Sequence, residues 1–265
     1  MKFNPAENLI ELRAKSPLVH NITNFVVMNY TANALLAIGA SPVMAHAVEE
    51  VEDMVAIAGA LVINIGTLSP AWVDGMKRAM LAAAKLGKPI ILDPVGAGAT
   101  AYRNTTLTEL LNTAVPTLIR GNASEILTLA GDNIQTKGVD STAESTDSLQ
   151  AAKLLSQKYN CVVSVSGATD VIVSGEKVAY VENGVSLMTR ITGMGCSASA
   201  IAGAFCAVQP DAFAAAVSAA AMMGVCGEKA FEKSKSPGSF QAAFLDALSE
   251  MSPKELSDLT RVKFL

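Results

Sequence analysis

The sequence predicts an α/β protein with a mostly parallel central sheet and helices on both faces. Short runs of aliphatic and β-branched residues alternate with longer stretches of helical periodicity. The run at 60–66, ALVINIG, is apolar without alternation, as is typical of a parallel strand buried on both faces. The chain has 265 residues and no long linker divides it, so we predict a single domain over 1–265.

Each predicted element follows from a local pattern. Gly39 is typical of a helix C-cap, and Ser69 followed by Pro70 is typical of a helix start. The predicted helices cover 25–38, 48–58 and 70–87, and helix dominates from Cys196 onward. The predicted strands cover 41–45, 60–66, 88–93, 117–120 and 161–166, with a hairpin over 171–181 that turns at 174–177. The polar stretch 132–147 is expected to be a surface loop that enters a helix.

Composition excludes several classes of protein. The net charge is −4 and no basic run occurs, which argues against nucleic acid or an anionic membrane as a partner. The N-terminal segment lacks the apolar region of a secretory signal, and the most apolar window, 212–227, is too short for a membrane span. Four cysteines without a C-x-x-C pair and only two histidines make a zinc site improbable. We expect a soluble, reduced, cytoplasmic protein.

Glycine-bearing or acidic segments follow several of the predicted strands. They are 66–67, 93–98, 120–125 and 166–170, and the turn 193–196 (GMGC) precedes a helix. Ligands bind beyond the carboxyl ends of the strands in a sheet of this type, so these segments are expected to share one edge.

Such an edge favours phosphoryl transfer. No G-x-x-x-x-G-K-[ST], strand-linked G-x-G-x-x-G or G-x-S-x-G motif is present, which argues against three common alternatives. The free N–H groups of a glycine-rich helix N-terminus are suited to hold a phosphoryl group. Asp93 and Glu125 are candidate Mg²⁺ ligands, directly or through water, and Arg120 is a candidate for nucleotide phosphate.

In this order, four segments resemble the hydroxyethylthiazole kinase family of the ribokinase-like superfamily over nearly the whole chain. They are HNITN at 20–24 with Asn29 and Asn33, GASPVMA at 39–45, DPVGAG at 93–98, and RGNASE at 120–125, which contains N-x-x-E as Asn122 and Glu125.

The resemblance implies a ribokinase-like fold, ATP-dependent phosphorylation of the hydroxyethyl arm of the thiazole half of thiamine, and Mg²⁺. It also implies a homotrimer with active sites shared between subunits. By matching position, Met44 and Gly193 contact substrate, and Arg120 and Ser166 contact nucleotide. We add Asn24, from the opening segment, as a substrate-binding candidate.

The turn 193–196 is the expected anion hole and contains the expected catalytic residue. Gly193 and Gly195 let the backbone approach a phosphoryl group closely, and Cys196 completes the turn. Wider ribokinase relatives have an Asp base where this chain has Cys196. We expect the helix dipole to lower the pKa of Cys196, so that the thiol can accept the substrate's proton. The Ala- and Met-rich helices after Cys196 carry apolar surface that suits a homo-oligomer.

Plainer readings of the same residues remain open. Cys196 and Met44 are also typical core residues, the glycine turn is also a plain bend, and Asn24 is also a typical helix cap. Arg120 has Asp93 and Glu125 as potential ion-pair partners. A related kinase of pyrimidine or pyridine alcohols is disfavoured by Cys196, because such relatives carry an acidic base there. A non-catalytic nucleotide-binding regulator is disfavoured by Asp93, Glu125 and the glycine turn.

Overall fold

The computed structural model describes residues 4–131 and 141–265. The strands are β1 Leu18–Ile22, β2 Ser41–Val43, β3 Ala60–Asn64, β4 Ile90–Asp93, β5 Leu118–Asn122, β6 Val162–Ser166, β7 Asp170–Ser174, β8 Lys177–Val181 and β9 Val262–Phe264. The helices are α1 Pro5–Lys15, α2 Met28–Ile38, α3 Val51–Ile57, α4 Pro70–Lys85, α5 Ala101–Thr113, α6 Ala123–Ala130, α7 Ser141–Tyr159, α8 Met194–Cys206, α9 Ala212–Lys233, α10 Pro237–Glu250 and α11 Pro253–Leu259. A short 3₁₀ helix spans Ser186–Arg190.

Within the described residues the strands form one nine-stranded sheet in the order β2-β1-β3-β4-β5-β6-β7-β8-β9. Strands β1 to β6 pair in parallel, whereas β7, β8 and β9 are antiparallel. Ser174 pairs with Lys177 across the β7–β8 hairpin, as predicted. The prediction of a mostly parallel sheet is therefore confirmed.

The two faces of the sheet carry separate apolar cores. Along β3, Ala60 and Val62 face one core, whereas Leu61 and Ile63 face the other. Side chains alternate between the faces of a strand, so a strand that is apolar at every position needs cover on both sides. Helices α1, α2, α8, α9 and α10 cover the first face, and α3, α4, α5, α6 and α7 cover the second.

Helix α9, which contains the Ala- and Met-rich stretch, is a core element of the subunit. Its side chains from Ala215 to Gly227 are all buried, and it packs against α8, α10 and the antiparallel strands. The argument that this stretch leaves surplus apolar surface for an oligomer is therefore wrong.

Strands β1 and β9 and helices α1, α5 and α6 were not among the elements predicted from the sequence. Strand β1 contains His20 and Asn21, which interrupt its apolar run although both are buried. His20 Nε2 forms a 2.8 Å hydrogen bond with the carbonyl oxygen of Ala45, which satisfies one polar atom inside the sheet. Strand β9 is too short to produce a clear alternation.

The predicted loop at 132–147 lies partly outside the described residues, which resume at Ser141. From there the chain is already helical, so the predicted loop is too long at its C-terminal end. Among the residues that the structure describes, no helix combines the length and apolar character needed to cross a membrane.

Candidate active site

Polar residues occupy the carboxyl ends of four neighbouring parallel strands. Asn64 ends β3 and lies beside Asp93, which ends β4. Asn122 ends β5 and lies beside Ser166, which ends β6. The prediction that the segments after these strands share one edge of the sheet is therefore confirmed.

The turn into α8 contains two glycines that serve different purposes. Gly193 is the N-cap residue with φ of +86°, a conformation that favours glycine. A Cβ at Gly193 would also lie 3.1 Å from Cγ1 of Val27. Gly195 lies within the first helical turn, and a Cβ there would approach only Nη1 of Arg120, at 3.7 Å. Gly193 thus shapes the turn, whereas Gly195 keeps the space in front of Arg120 open.

Arg120 connects the sheet edge to this turn. Its Nη1 atom donates a 3.1 Å hydrogen bond to the carbonyl oxygen of Gly195. Within the described parts of the chain, Arg120 belongs to no ion pair, so the direct pairing with Asp93 or Glu125 considered above is wrong. Its positive charge is therefore not neutralised by direct contact with a carboxylate.

A cleft of about 650 Å³ opens beside Arg120, a volume typical of small-molecule sites. One side consists of the ends of β5 and β6 and the turn into α8, and includes Ser166 and Gly195. The other side consists of the segment after β8 together with α9, and includes Gly184 and Met223. The predicted nucleotide-binding residues Arg120 and Ser166 thus line the same cleft as the glycine turn.

Asp93 is a buried carboxylate at the edge of this site. Its Oδ2 atom accepts hydrogen bonds from Nδ2 of Asn64 at 2.8 Å and from Oγ of Ser199 at 2.7 Å. Burial raises the pKa of Asp93 to about 6, although the charge of Arg120 and the two hydrogen bonds oppose this shift. The ionised form is costly at this position, so a nearby cation would be favourable.

Asn24 connects Asn64 to Cys196. The Nδ2 atom of Asn24 lies 2.9 Å from Oδ1 of Asn64 and 3.4 Å from Sγ of Cys196, and donates to both. We call Asn24 and Asn64 the amide chain, because they connect the thiol of Cys196 to the carboxylate of Asp93. Asn24 is buried and Val27 is the N-cap residue of α2, so the helix-cap interpretation of Asn24 is wrong.

The thiol of Cys196 is not activated in the way that its helical position suggested. Burial raises the pKa of Cys196 to about 11, and the nearby charge of Asp93 adds to this effect. Hydrogen bonds from the amide chain oppose the shift without reversing it. The expectation of a lowered pKa is therefore wrong, and the thiol is protonated at neutral pH.

Glu125 holds two segments of the edge together. Its Oε2 atom accepts from the backbone N–H of Asn122 at 2.8 Å, while Oδ1 of Asn122 accepts from the N–H of Glu125 at 2.9 Å. These two bonds form a capping box at the start of α6. The Oε1 atom accepts from the N–H of Gly96 at 2.9 Å, which anchors the loop after β4.

Met44 is the predicted site residue that lies apart from this group. It is half-buried directly after β2, the edge strand, and β1 separates that strand from β3. It does not line the cleft, and neither do Asn24, Asp93, Glu125 and Cys196, which adjoin it through the contacts described above. Within one subunit, the structure therefore does not bring Met44 together with Arg120 and Ser166.

Sequence reasoning missed Asn64 and Ser199 as members of this site. Asn64 interrupts an otherwise apolar strand at the edge position opposite Asp93. Ser199 follows Gly195 by four residues on α8, so both lie on one face of the helix. Both positions could have been found from their spacing, but only the fold identifies Asp93 as the shared partner.

Arg103, on α5, was missed as well. Its Nη1 atom donates to the carbonyl oxygens of Ile65 at 2.5 Å and Val95 at 2.7 Å, and Nη2 donates to that of Gly66 at 2.9 Å. One guanidinium therefore ties the segment after β3 to the loop after β4. No spacing in the sequence indicates these carbonyl contacts.

Comparison with known proteins agrees with this arrangement. The profile of the "HK: Hydroxyethylthiazole kinase family" matches residues 9–254. The hydroxyethylthiazole kinase of Leptospira biflexa serovar Patoc is 55% identical over 260 residues, covering 98% of this chain and 97% of that protein.

Solved structures are also similar. The structure of a hydroxyethylthiazole kinase protein from Pyrococcus horikoshii OT3 superposes with a TM-score of 0.92 at 43% identity and covers 100% of both chains. A ribokinase-like superfamily protein from Enterococcus faecalis V583 has a TM-score of 0.63 at 13% identity, with 92% of this chain and 88% of that chain covered, and shows the shared fold alone. The extent and identity of these matches establish that the chain belongs to the hydroxyethylthiazole kinase family.

Proposed function

We propose that this protein transfers the terminal phosphoryl group of ATP to the hydroxyethyl arm of 4-methyl-5-(2-hydroxyethyl)thiazole, producing the thiazole phosphate used to make thiamine. The observation that carries this proposal is that a guanidinium without a direct carboxylate contact and an open glycine turn line the same cleft. Family membership supports the choice of the thiazole alcohol as acceptor.

Arg120, Ser166 and the turn into α8 are suited to hold the nucleotide. The side chains of Arg120 and Ser166 line the cleft. Helix α8 begins at the turn, so its free N–H groups and the positive end of its dipole lie there. Phosphoryl transfer depends mainly on positioning and charge neutralisation, which a guanidinium and a helix N-terminus supply. Gly193, Gly195 and the backbone of Cys196 would form the anion hole.

The residues present fit Mg²⁺ as a shared ligand of protein and nucleotide. Among the described residues, no group of three or more His, Cys, Asp or Glu side chains could hold a metal ion. Mg²⁺ usually binds through one or two carboxylates together with phosphate oxygens and water. Asp93 and Glu125 supply such oxygens, and Glu125, whose oxygens already accept backbone hydrogen bonds, would act through water. The ion would neutralise phosphate charge during transfer.

We propose Cys196 as the catalytic residue, but as a group that orients the acceptor and not as a general base. Because its thiol is protonated at neutral pH, it would orient the acceptor hydroxyl and not remove the proton before transfer. The loose transition state of phosphoryl transfer makes a strong base unnecessary. Asn24, which we proposed as substrate-binding, would contribute by fixing the position of Sγ.

The proposal includes a homotrimer with active sites at subunit interfaces, acting in the cytoplasm. Phe25 and Val26 directly follow Asn24 and are 67% and 72% exposed, which is unusual for large apolar side chains beside a polar site. A neighbouring subunit would cover them and bring a second set of residues, such as its copy of Met44, near the acceptor. Light scattering at micromolar concentration tests this, since a fully active monomer would contradict it.

An ADP-release assay with a panel of alcohols tests the activity. Purified protein with ATP and Mg²⁺ is offered the thiazole alcohol, a hydroxymethylpyrimidine and a pyridine alcohol of the vitamin B6 type. We expect efficient ADP release only with the thiazole alcohol. Preference for another alcohol would reassign the acceptor, and nucleotide binding without any turnover would favour a regulator.

A further inference from the structure

The segment at 182–188 forms part of one side of the cleft and lies directly against α9. A Cβ at Gly224 would come within 2.5 Å of Cβ of Asn183, and a Cβ at Gly227 would overlap Sδ of Met188. Glycine at both positions of α9 therefore permits this close approach. A side chain at either position would push the segment away from the helix.

Glu228, the next residue on α9, anchors this segment. Its Oε1 atom accepts from the backbone N–H of Gly184 at 2.8 Å, and Oε2 accepts from Nδ2 of Asn183 at 3.1 Å. Both donors line the cleft, whereas Glu228 does not. The carboxylate thus acts on the cleft only through the residues that it holds.

Arg261 holds the same carboxylate from the C-terminal side. Its guanidinium donates to Oε1 of Glu228 at 2.5 Å and to Oε2 at 3.2 Å, an arrangement that engages both oxygens. It also donates to the carbonyl oxygen of Glu182 at 2.8 Å, and its backbone N–H donates to Oδ1 of Asn183 at 2.7 Å. We call Asn183, Glu228 and Arg261 the C-terminal clasp.

The clasp favours the ionised carboxylate. Partial burial opposes ionisation of Glu228, but the hydrogen bonds from Arg261, Gly184 and Asn183 outweigh it and lower the pKa of Glu228. Arg261 lies beyond residue 254, where the match to the family profile ends. Asn183 and Glu228 lie inside that match, whereas the contribution of Arg261 lies outside it.

We propose that Glu228 and Arg261 are positioning residues that set the affinity for the nucleotide by holding the 182–188 segment at the side of the cleft. This inference rests on the proposed function, because it takes the cleft to be the nucleotide site. Neither residue lines the cleft, so neither is a catalytic residue. Glu228 and Arg261 instead raise the fraction of molecules in which the cleft has the conformation that binds nucleotide.

The size of the effect follows from that fraction. Apparent affinity falls in proportion to the population of the competent conformation. If loss of the clasp leaves about one tenth of the molecules with the segment in place, nucleotide binding weakens about tenfold, or about 1.4 kcal/mol. Turnover at saturating nucleotide is retained, because the residues at the glycine turn are unchanged.

The experiment compares Glu228→Ala and Arg261→Met with a matched control on the same helix. Lys229→Met removes an ion pair of 2.7 Å between Lys229 and Glu255, which ties α9 to α11 and does not touch the 182–188 segment. Binding of a non-hydrolysable ATP analogue with Mg²⁺ is measured by calorimetry, together with kcat and the KM for each substrate.

We expect both clasp variants to weaken analogue binding and raise the KM for ATP about tenfold, with kcat and the KM for the alcohol nearly unchanged. Wild-type analogue binding in both clasp variants, or equal weakening in Lys229→Met, would overturn the inference. Arg120→Met tests the proposed nucleotide site itself. Undiminished analogue binding in this variant would show that the nucleotide binds elsewhere, and it would also overturn the positioning role of Glu228 and Arg261. If the clasp variants and Arg120→Met weaken analogue binding as expected but the wild type does not phosphorylate the thiazole alcohol, only the proposed acceptor is contradicted.

Discussion

Two sets of polar residues lie around the proposed active site, and they differ in burial and charge. The amide chain and Ser199 are almost fully buried and neutral, and they converge on the single carboxylate of Asp93. The C-terminal clasp is partly exposed and built around an ion pair, in which the Arg261 side chain is 52% exposed. The first set contacts Asp93 and Cys196, whereas the second holds the 182–188 segment.

This difference predicts different consequences of mutation. Removing one partner of a buried hydrogen bond leaves the other unsatisfied and costs about 1–3 kcal/mol. An exposed ion pair contributes about 0–1 kcal/mol to stability, because water and salt screen it. Changes near Asp93 should therefore alter turnover and folding stability together, whereas changes in the clasp should alter mainly nucleotide affinity.

Asp93→Asn should give the largest effect. The substitution keeps an acceptor for Asn64 and Ser199 but removes the negative charge proposed to hold Mg²⁺. We expect kcat to fall about a thousandfold or more, measured by ADP release at saturating ATP. Turnover close to wild type would exclude Asp93 from the cation site.

The same variant should gain stability at alkaline pH. Because folding raises the pKa of Asp93 to about 6, above its ordinary value of about 4, the folded state favours the protonated form. The wild type therefore loses stability as pH rises through 6, and Asp93→Asn avoids this loss. In urea unfolding, we expect a gain of about 3 kcal/mol at pH 8 and about half as much at pH 5. A variant less stable than wild type at pH 8 would contradict the cost assigned to the buried charge.

Gly195→Val should give the next largest effect. Its side chain would enter the open space in front of Arg120, so we expect kcat to fall about 100- to 1000-fold while the protein stays folded. Gly238 is the matched control, because it is also the second residue of its helix and a Cβ there meets nothing within 4 Å. Equal activity of Gly195→Val and Gly238→Val would show that the turn is only a bend.

Cys196→Ala should give an intermediate effect. We expect a loss of about ten- to a thousandfold in kcat, because the thiol orients the acceptor without being an obligatory base. Cys196→Asp should remain active and exceed Cys196→Ala, since a carboxylate there can accept the hydroxyl proton. If the Asp variant is inactive and the Ala variant is unaffected, Cys196 is a packing residue.

Ser199→Ala should give the smallest change in kcat, about three- to tenfold, because it removes one of two hydrogen bonds to Asp93. Ser197 offers a matched control on the same helix, since it is equally buried and its Oγ lies 3.3 Å from Oγ1 of Thr31 instead. Both variants should lose about 1 kcal/mol of stability. Equal changes in kcat for the two serine variants would show that the hydrogen bond from Ser199 to Asp93 has no particular effect on turnover.

The sequence by itself determined the parallel sheet and predicted that Asp93, Arg120 and the glycine turn lie at one edge of it. These follow from local patterns, because apolar runs, cap residues and strand ends are properties of short stretches of chain. The ordered segments that resemble the family made the reaction predictable as well.

Only the tertiary structure decided which residues meet and how buried they are. Glu228 and Arg261 are 33 positions apart, and Arg261 directly precedes β9, a strand that no local pattern predicted. The raised pKa of Cys196 opposes what its place at a helix N-terminus suggested, because burial and the nearby charge of Asp93 raise it. Helix α9 is core because α8, α10 and the antiparallel strands cover it. Burial, and the charges brought near by folding, depend on the whole chain, and for that reason no segment read alone could supply them.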